Sequence, residues 1–93
     1  MTIHVKVTEE HIYMGERSNC LLCPVALALY EATGRPWRVY RDWACPSDDS
    51  IEADLPDFVC DWINLFDCAG RAKPFEFGLV VPDHVVVATE GRP

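Results

Sequence analysis

Apolar and polar residues alternate along several segments of the chain, and this period predicts strands. Residues 3–7 (IHVKV) and 75–81 (FEFGLVV) place an apolar side chain at every second position, as a strand with one buried face requires. Residues 37–42 (WRVYRD) are rich in aromatic and β-branched residues and predict a further strand. A fourth strand is predicted over residues 84–89, where it would pair back after a turn.

Two longer segments have the residue spacing of helices. The run from Cys20 to Thr33 is apolar on nearly every side; Pro24 suits a first helical turn, and Gly34 suits the residue after the last turn. This predicts a central buried helix that begins between Cys20 and Pro24. A second helix is predicted after Asp54, its expected cap, because six apolar residues follow with the spacing of one helical face. Those residues are Leu55, Phe58, Val59, Trp62, Ile63 and Phe66.

Shorter signals complete the predicted architecture. Thr8 followed by two glutamates predicts a cap and a turn of helix over Glu9–Tyr13, and residues 44–50 are predicted as a loop because they are rich in Pro, Ser and Asp. The predicted order is β-α-α-β-α-β-β, an α+β domain with a small sheet of three to four strands and two main helices on one face. The 93 residues are expected to form a single domain, 1–93, with residues 90–93 as a loose tail.

Acidic residues outnumber basic ones, and this limits the classes of partner. Fifteen Asp and Glu against eight Lys and Arg give a formal charge of −7. Such a field repels phosphate backbones and anionic membranes, so general nucleic-acid binding and membrane binding are not expected, whereas a basic protein partner fits. The acidic stretch from Asp48 to Asp61 is interpreted as a solvated helix start, with imitation of DNA phosphates as the alternative. So small a core also favours a homo-oligomer.

Signals of location are those of a cytoplasmic protein. Residues 1–10 lack the apolar segment of a signal peptide. The longest apolar run, Cys20 to Tyr30, has eleven residues, fewer than the ~20 that cross a bilayer. The five cysteines are an odd number, which favours thiols in a reducing compartment. We therefore expect a cytoplasmic location, in the host cell if a phage encodes the chain.

The pair Cys20-x-x-Cys23 has the one local spacing with a chemical meaning. Two thiolates at this spacing can bind the same zinc ion, but a zinc site needs four ligands, and the other cysteines and histidines are scattered. The pair could also be a redox dithiol at a helix start. The third interpretation is two small residues at the beginning of a buried helix. We therefore predict no cofactor, and zinc remains the alternative.

Three polar residues ahead of the central helix form a candidate anion site. Arg17, Ser18 and Asn19 precede a helix start, where unpaired backbone N–H groups and a guanidinium can bind phosphate. If the ligand is a nucleotide, Trp37 or Tyr40 is available to stack on its base. The alternative is that Ser18 or Asn19 only caps the helix.

Residues with a recognisable catalytic pattern are scarce. The sequence contains no GxSxG, no HExxH and no phosphate-binding glycine loop. Asp83 and His84 are neighbours in sequence, but a catalytic dyad is defined by spatial geometry. No catalytic residue is therefore predicted.

Three segments together resemble a family of small proteins carried by phages and prophages. They are VTEEHIYMGERSN (7–19), CPVALALYEATG (23–34) and LPDFVCDWINLFDCAGRAKPFEF (55–77). Their order is similar to the family pattern VTxx[HD]IxxG, CP[VI]ALAL, LPxxxxx[WF]IxxFDxG and PFxF, over Val7 to Phe77. The chain departs from the pattern by extending beyond Phe77 and by carrying Cys20, Cys60 and Cys68.

The resemblance implies a biological context and no particular activity. Small accessory proteins of phages often act by binding, either blocking a host defence protein or sequestering a nucleotide signal. The prediction is a non-enzymatic accessory protein that binds a host protein or a small nucleotide-like ligand. The alternatives left open are a small structural zinc- or thiol-containing domain and a small enzyme of unknown reaction.

Overall fold

The computed structural model of the chain describes residues 2–48, 51–69 and 72–82. The predicted α+β class is confirmed in these residues, which contain both helices and antiparallel sheets. The elements in chain order are β1 (Thr2–Val7), α1 (Glu9–Met14), α2 (Pro24–Thr33), β2 (Trp37–Val39), β3 (Trp43–Pro46), β4 (Ala53–Asp54), α3 (Asp57–Ala69) and β5 (Phe75–Val80).

The first and last described strands form an antiparallel pair, as the alternation in both segments predicts. Strand β1 pairs with β5 in a register that runs from Thr2 opposite Val80 to Val7 opposite Phe75. In β1 the alternating apolar residues are buried, and in β5 Phe77 and Leu79 are buried while Phe75 is half-buried. The positions between them are exposed, including the apolar Val80. Helix α2 packs against β1 and contributes Val25 and Leu29 to the core, so the prediction of a central buried helix is confirmed.

A second sheet corrects the prediction for residues 37–50. The segment predicted as a single strand over 37–42 ends at Val39, and the chain then reverses, with the Tyr40 N–H donating to the Trp43 carbonyl at 2.8 Å. The segment predicted as a loop contains β3, which lies between β2 and β4. Its apolar residues are buried in this hairpin, and this tertiary pairing outweighs the local turn signal of Pro46 and Ser47. The strands of the described residues are thus divided between a two-stranded and a three-stranded sheet.

Helix α3 begins later than its sequence predicts. The predicted cap Asp54 lies in β4 instead, and the Leu55 N–H donates to the Asp42 carbonyl, which ties this segment to the hairpin turn. The predicted helical face is buried at Val59, Ile63 and Phe66. Phe58 departs from that face and is 55% exposed.

Helices α1 and α2 meet closely at one end. The predicted Thr8 cap is confirmed: its hydroxyl accepts from the His11 N–H, and the His11 ring accepts from the Thr8 N–H. Gly15 ends α1 against Pro24, and a Cβ at position 15 would lie 2.6 Å from the proline Cδ. Helix α2 ends at Gly34, as predicted, with the left-handed φ of 75° that glycine accommodates without strain.

The predicted fourth strand over residues 84–89, the Asp83-His84 pair and the tail of residues 90–93 lie outside the described residues. In the part of the chain that is described, no helix has the length and apolar character needed to span a bilayer.

Candidate functional site

Most of the residues predicted for a site converge on a small cleft, which we call the cysteine cleft. It lies between the turn that precedes α2, the end of β2 and one side of α3, and its volume is about 210 Å³. Its lining residues are Ser18, Asn19, Cys20, Cys23, Val39, Tyr40, Arg41, Ile63 and Asp67.

A tight turn positions the first wall of the cysteine cleft. The Asn19 carbonyl accepts from the Leu22 and Cys23 N–H groups at 3.3 and 2.9 Å, which closes one helical turn. The Asn19 side-chain oxygen caps this turn by accepting from the N–H groups of Leu21 and Leu22. The Val39 N–H donates to the Cys20 carbonyl at 2.8 Å, so the turn is held against β2.

The alternative in which Ser18 or Asn19 caps α2 is therefore wrong. Asn19 caps the turn before this helix, because its acceptor oxygen is already used by Leu21 and Leu22. The residue at the N-cap position of α2 is Cys23, whose side chain makes no capping hydrogen bond.

The cleft is poorly suited to the predicted anion. The Ser18 N–H, one of the expected phosphate donors, donates instead to the Asp67 carboxylate at 2.9 Å. A carboxylate thus occupies the position where a phosphate was expected, and its charge repels a second anion. Arg17 is exposed and does not line the cleft, although Arg41 does.

The predicted stacking residues have different outcomes. The prediction for Trp37 is wrong, because its side chain is 1% exposed and its ring N–H donates to the Thr33 hydroxyl at 2.8 Å inside the core. Tyr40 does line the cleft and is 37% exposed, but its ring already stacks on Trp43 with 4.5 Å between the ring centroids.

The two cysteines of the motif lie in the same cleft and differ in their surroundings. Cys20 is half-buried and Cys23 is buried. Burial raises the pKa of the Cys23 thiol above its ordinary value, and the nearby Asp67 carboxylate and Cys20 raise it further against the lowering effect of the Ala26 and Val25 N–H groups. No disulfide joins any of the five cysteines, all of which lie in the described residues.

The remaining cysteines do not extend the motif into a metal centre. Within residues 2–48, 51–69 and 72–82, no three His, Cys, Asp or Glu side chains are grouped so that they could hold a metal ion. Cys60 lies on α3, and partial burial followed by the charges of Asp42, Asp57 and Asp61 raises the pKa of its thiol. A zinc ion at Cys20 and Cys23 would therefore need further ligands from beyond this set.

The raised pKa of Cys23 predicts a loss of stability at alkaline pH. The folded protein retains this thiol proton at a pH where the unfolded chain, with a thiol pKa of about 8.5, releases it. Stability from this group is therefore complete at neutral pH and falls as the pH rises above about 8.5. Urea unfolding at several alkaline pH values should show a steeper fall for the wild type than for Cys23→Ala.

The exposed Cys68 is the matched control for this measurement. Cys68→Ala should keep the wild-type pH slope. An equal slope for the wild type and Cys23→Ala would show that the buried thiol does not cause the alkaline loss.

A second candidate site is a groove between helices α1 and α2, which we call the α1–α2 groove. It is open and apolar, has a volume of about 570 Å³, and exposes Met14 by 63% and Tyr30 by 52%. Its lining residues are Glu10, His11, Met14, Leu27, Tyr30, Glu31 and Gly34.

The α1–α2 groove is held in shape by His11. Its Nδ1 accepts from the Thr8 N–H at 3.0 Å, so the neutral ring carries its proton on Nε2 and donates to the Glu31 carboxylate at 2.8 Å. One imidazole thus connects the start of α1 to α2. The arrangement leaves two carboxylates, Glu10 and Glu31, among the lining residues of an apolar surface.

Sequence reasoning missed this groove, together with Arg41 and Asp67 of the cleft. Met14 and Tyr30 lie on different helices, so their proximity depends on how the helices pack. The sequence offers one signal for the groove, the adjacent apolar residues Tyr13 and Met14. In the structure they end α1, a helix that buries none of its residues.

Comparison with known proteins identifies no relative. No family model, no curated protein and no solved structure matches the chain.

Proposed function

We propose that the protein acts by binding a protein partner, and that the α1–α2 groove is the contact surface. The observation that carries this proposal is the exposure of Met14 and Tyr30 on either side of the groove. Exposed apolar side chains that flank a groove are typical of surfaces that bind proteins, and methionine and tyrosine adapt well to such contacts. Tyr13 on the same short helix is 85% exposed, but it does not line the groove.

The charges around the groove specify the chemistry of the partner. Neither α1 nor α2 contains Lys or Arg, whereas Glu10 and Glu31 line the groove and the whole chain carries −7. A groove between two helices accommodates the apolar face of a third helix. The occupant we propose is therefore a basic amphipathic helix of another protein, with its apolar side on Met14 and Tyr30 and its cations near the carboxylates.

The cysteine cleft supports a nucleotide ligand less well. Its volume of about 210 Å³ is below the ~300 Å³ at which small-molecule pockets usually begin, and Asp67 brings a negative charge to the place where phosphate was expected. Of the two kinds of partner expected for a phage-type accessory protein, the geometry thus favours a protein. The resemblance to small phage proteins is the reason for proposing that this partner belongs to the host cell.

A defined peptide tests this proposal. A fluorescent Leu/Lys peptide with helical apolar spacing should bind, whereas the same peptide with Glu in place of Lys should not. The double variant Met14→Ser, Tyr30→Ser removes apolar contact from both sides of the groove. It should bind the Leu/Lys peptide at least about tenfold more weakly, a change of ~1.4 kcal/mol, in fluorescence anisotropy titrations under reducing conditions.

A second double variant separates the groove from general attraction between opposite charges. Leu65 and Val80 are also exposed apolar residues, but neither lines the groove. Leu65→Ser, Val80→Thr has the same net charge and should bind like the wild type. Equal weakening in both double variants, or binding that neither variant changes, would overturn the assignment of the groove.

A further inference from the structure

We propose that Cys20 and Cys23 form a reversible disulfide, so that the cysteine cleft is a thiol–disulfide exchange site for a small disulfide such as glutathione disulfide. The proposal is independent of the protein-binding groove and concerns a different part of the surface. Its basis is the geometry of the turn, the position of both side chains in one cleft and their unequal access to solvent.

The backbone brings the two cysteines to the separation that a disulfide needs. The hydrogen bonds from Leu22 and Cys23 to the Asn19 carbonyl close a helical turn around them. Residues three apart in such a turn have Cα atoms about 5 Å apart, as the radius and rise of a helix dictate. Disulfides span Cα separations of roughly 4.4–6.8 Å, and the separation in this turn lies within that range.

The surroundings of the two thiols give them different roles. Cys20 is half-buried at the cleft surface, where a dissolved disulfide can reach it. Cys23 is 5% exposed and holds its proton more tightly than an ordinary thiol, because burial raises its pKa and the Asp67 charge adds to this effect. Cys20 is therefore the attacking thiol and Cys23 the resolving thiol.

The exchange balances in two steps. The Cys20 thiolate attacks one sulfur of glutathione disulfide, which forms a mixed disulfide on Cys20 and releases one glutathione thiolate. Cys23 then loses its proton to water, and its thiolate attacks the Cys20 sulfur. This forms the Cys20–Cys23 bond and releases the second glutathione thiolate, so that two protein thiols are oxidised as one glutathione disulfide is reduced to two thiols.

Peptide mapping after equilibration in glutathione buffers tests the proposal. Trypsin releases both cysteines in one peptide, because Arg17 precedes them and the Arg35-Pro36 bond resists cleavage. After acid quenching and alkylation, the oxidised protein should yield this peptide without alkyl groups. Its mass should be lower by two hydrogens than that of the reduced, unalkylated peptide. Reduction should restore two alkylatable thiols, and Cys45, which is buried, should remain a thiol throughout.

Single variants distinguish the roles of the two thiols. Cys23→Ser should accumulate glutathione on Cys20, because no second thiol resolves the mixed disulfide. In Cys20→Ser, the remaining Cys23 should react with glutathione disulfide at least about tenfold more slowly than Cys20 does in Cys23→Ser. The reason is that burial limits the access of the reagent and disfavours the thiolate. Circular dichroism on both variants checks that each is folded.

Two results would overturn the proposal. One is a wild-type protein in which Cys20 and Cys23 both stay alkylatable in buffers oxidising enough to modify the exposed Cys68. The other is a mixed disulfide on Cys20 that persists in the wild type as long as it does in Cys23→Ser. Because these readouts are made without peptide, their failure leaves the protein-binding proposal to its own test.

Discussion

Replacing Leu29 by alanine is expected to lower the free energy of unfolding by about 2–5 kcal/mol. Leu29 is fully buried on α2, the helix that packs against β1 and forms part of the core. The substitution removes buried apolar surface and leaves a cavity that a close-packed core fills only in part. For a domain of this size, whose total stability is about 5–15 kcal/mol, such a loss is a large fraction. Urea denaturation followed by tryptophan fluorescence measures it.

The same substitution a few residues earlier provides the control. Leu21 precedes α2 in the capped turn and is 49% exposed, so Leu21→Ala should change the free energy of unfolding by no more than about 0.5 kcal/mol. If Leu21→Ala and Leu29→Ala destabilise the protein equally, α2 does not bury the face that contains Leu29.

The second large effect is expected at Thr33, where a buried hydroxyl has three partner residues, Leu29, Arg35 and Trp37. It donates to the Leu29 carbonyl at 2.7 Å and accepts from the Trp37 ring N–H at 2.8 Å. Thr33→Val keeps the size of the side chain but leaves the buried indole N–H without this acceptor. The cost should be about 1–3 kcal/mol in the free energy of unfolding, because a buried donor without a partner bears its full desolvation penalty.

A double-mutant cycle isolates this hydrogen bond from packing. Phenylalanine at position 37 has no donor, so Thr33→Val should cost less in a Trp37→Phe background than in the wild type. Thr33→Ser retains the hydroxyl and should cost less than Thr33→Val. An unchanged cost of Thr33→Val in the Trp37→Phe background would show that the indole N–H does not depend on Thr33.

Elements specified by local patterns were predicted well. The alternation in residues 3–7 and 75–81 identified β1 and β5, and the positions of Pro24 and Gly34 identified the bounds of α2. Each of these signals acts within a few residues, as caps and buried faces do. The α+β class follows from them.

Elements that depend on distant pairing could not be predicted from the same signals. Strand β3 contains a proline and is followed by turn residues, yet it pairs on both sides, with β2 and with β4. The start of α3 is displaced because Leu55 bonds to the turn at Asp42, and no local pattern contains that hydrogen bond.

The cysteine cleft shows the same division between local and distant information. The sequence placed Ser18, Asn19, Cys20 and Cys23 ahead of a helix, and the structure brings all four to one cleft. It did not show that Asp67, forty-nine residues away from Ser18, would accept the Ser18 N–H. That hydrogen bond weakens the case for a phosphate, and the charge of Asp67 helps to keep Cys23 protonated.

We propose above all that the α1–α2 groove binds a basic amphipathic helix. Two-dimensional ¹H–¹⁵N NMR spectra of the labelled protein, titrated with the Leu/Lys peptide, test it most directly, because each backbone amide reports separately. We expect the largest chemical-shift changes at residues 10–14 and 27–34, which surround the groove. Changes centred on residues 18–20 and 39–41 around the cysteine cleft, or no localised changes at all, would contradict the account.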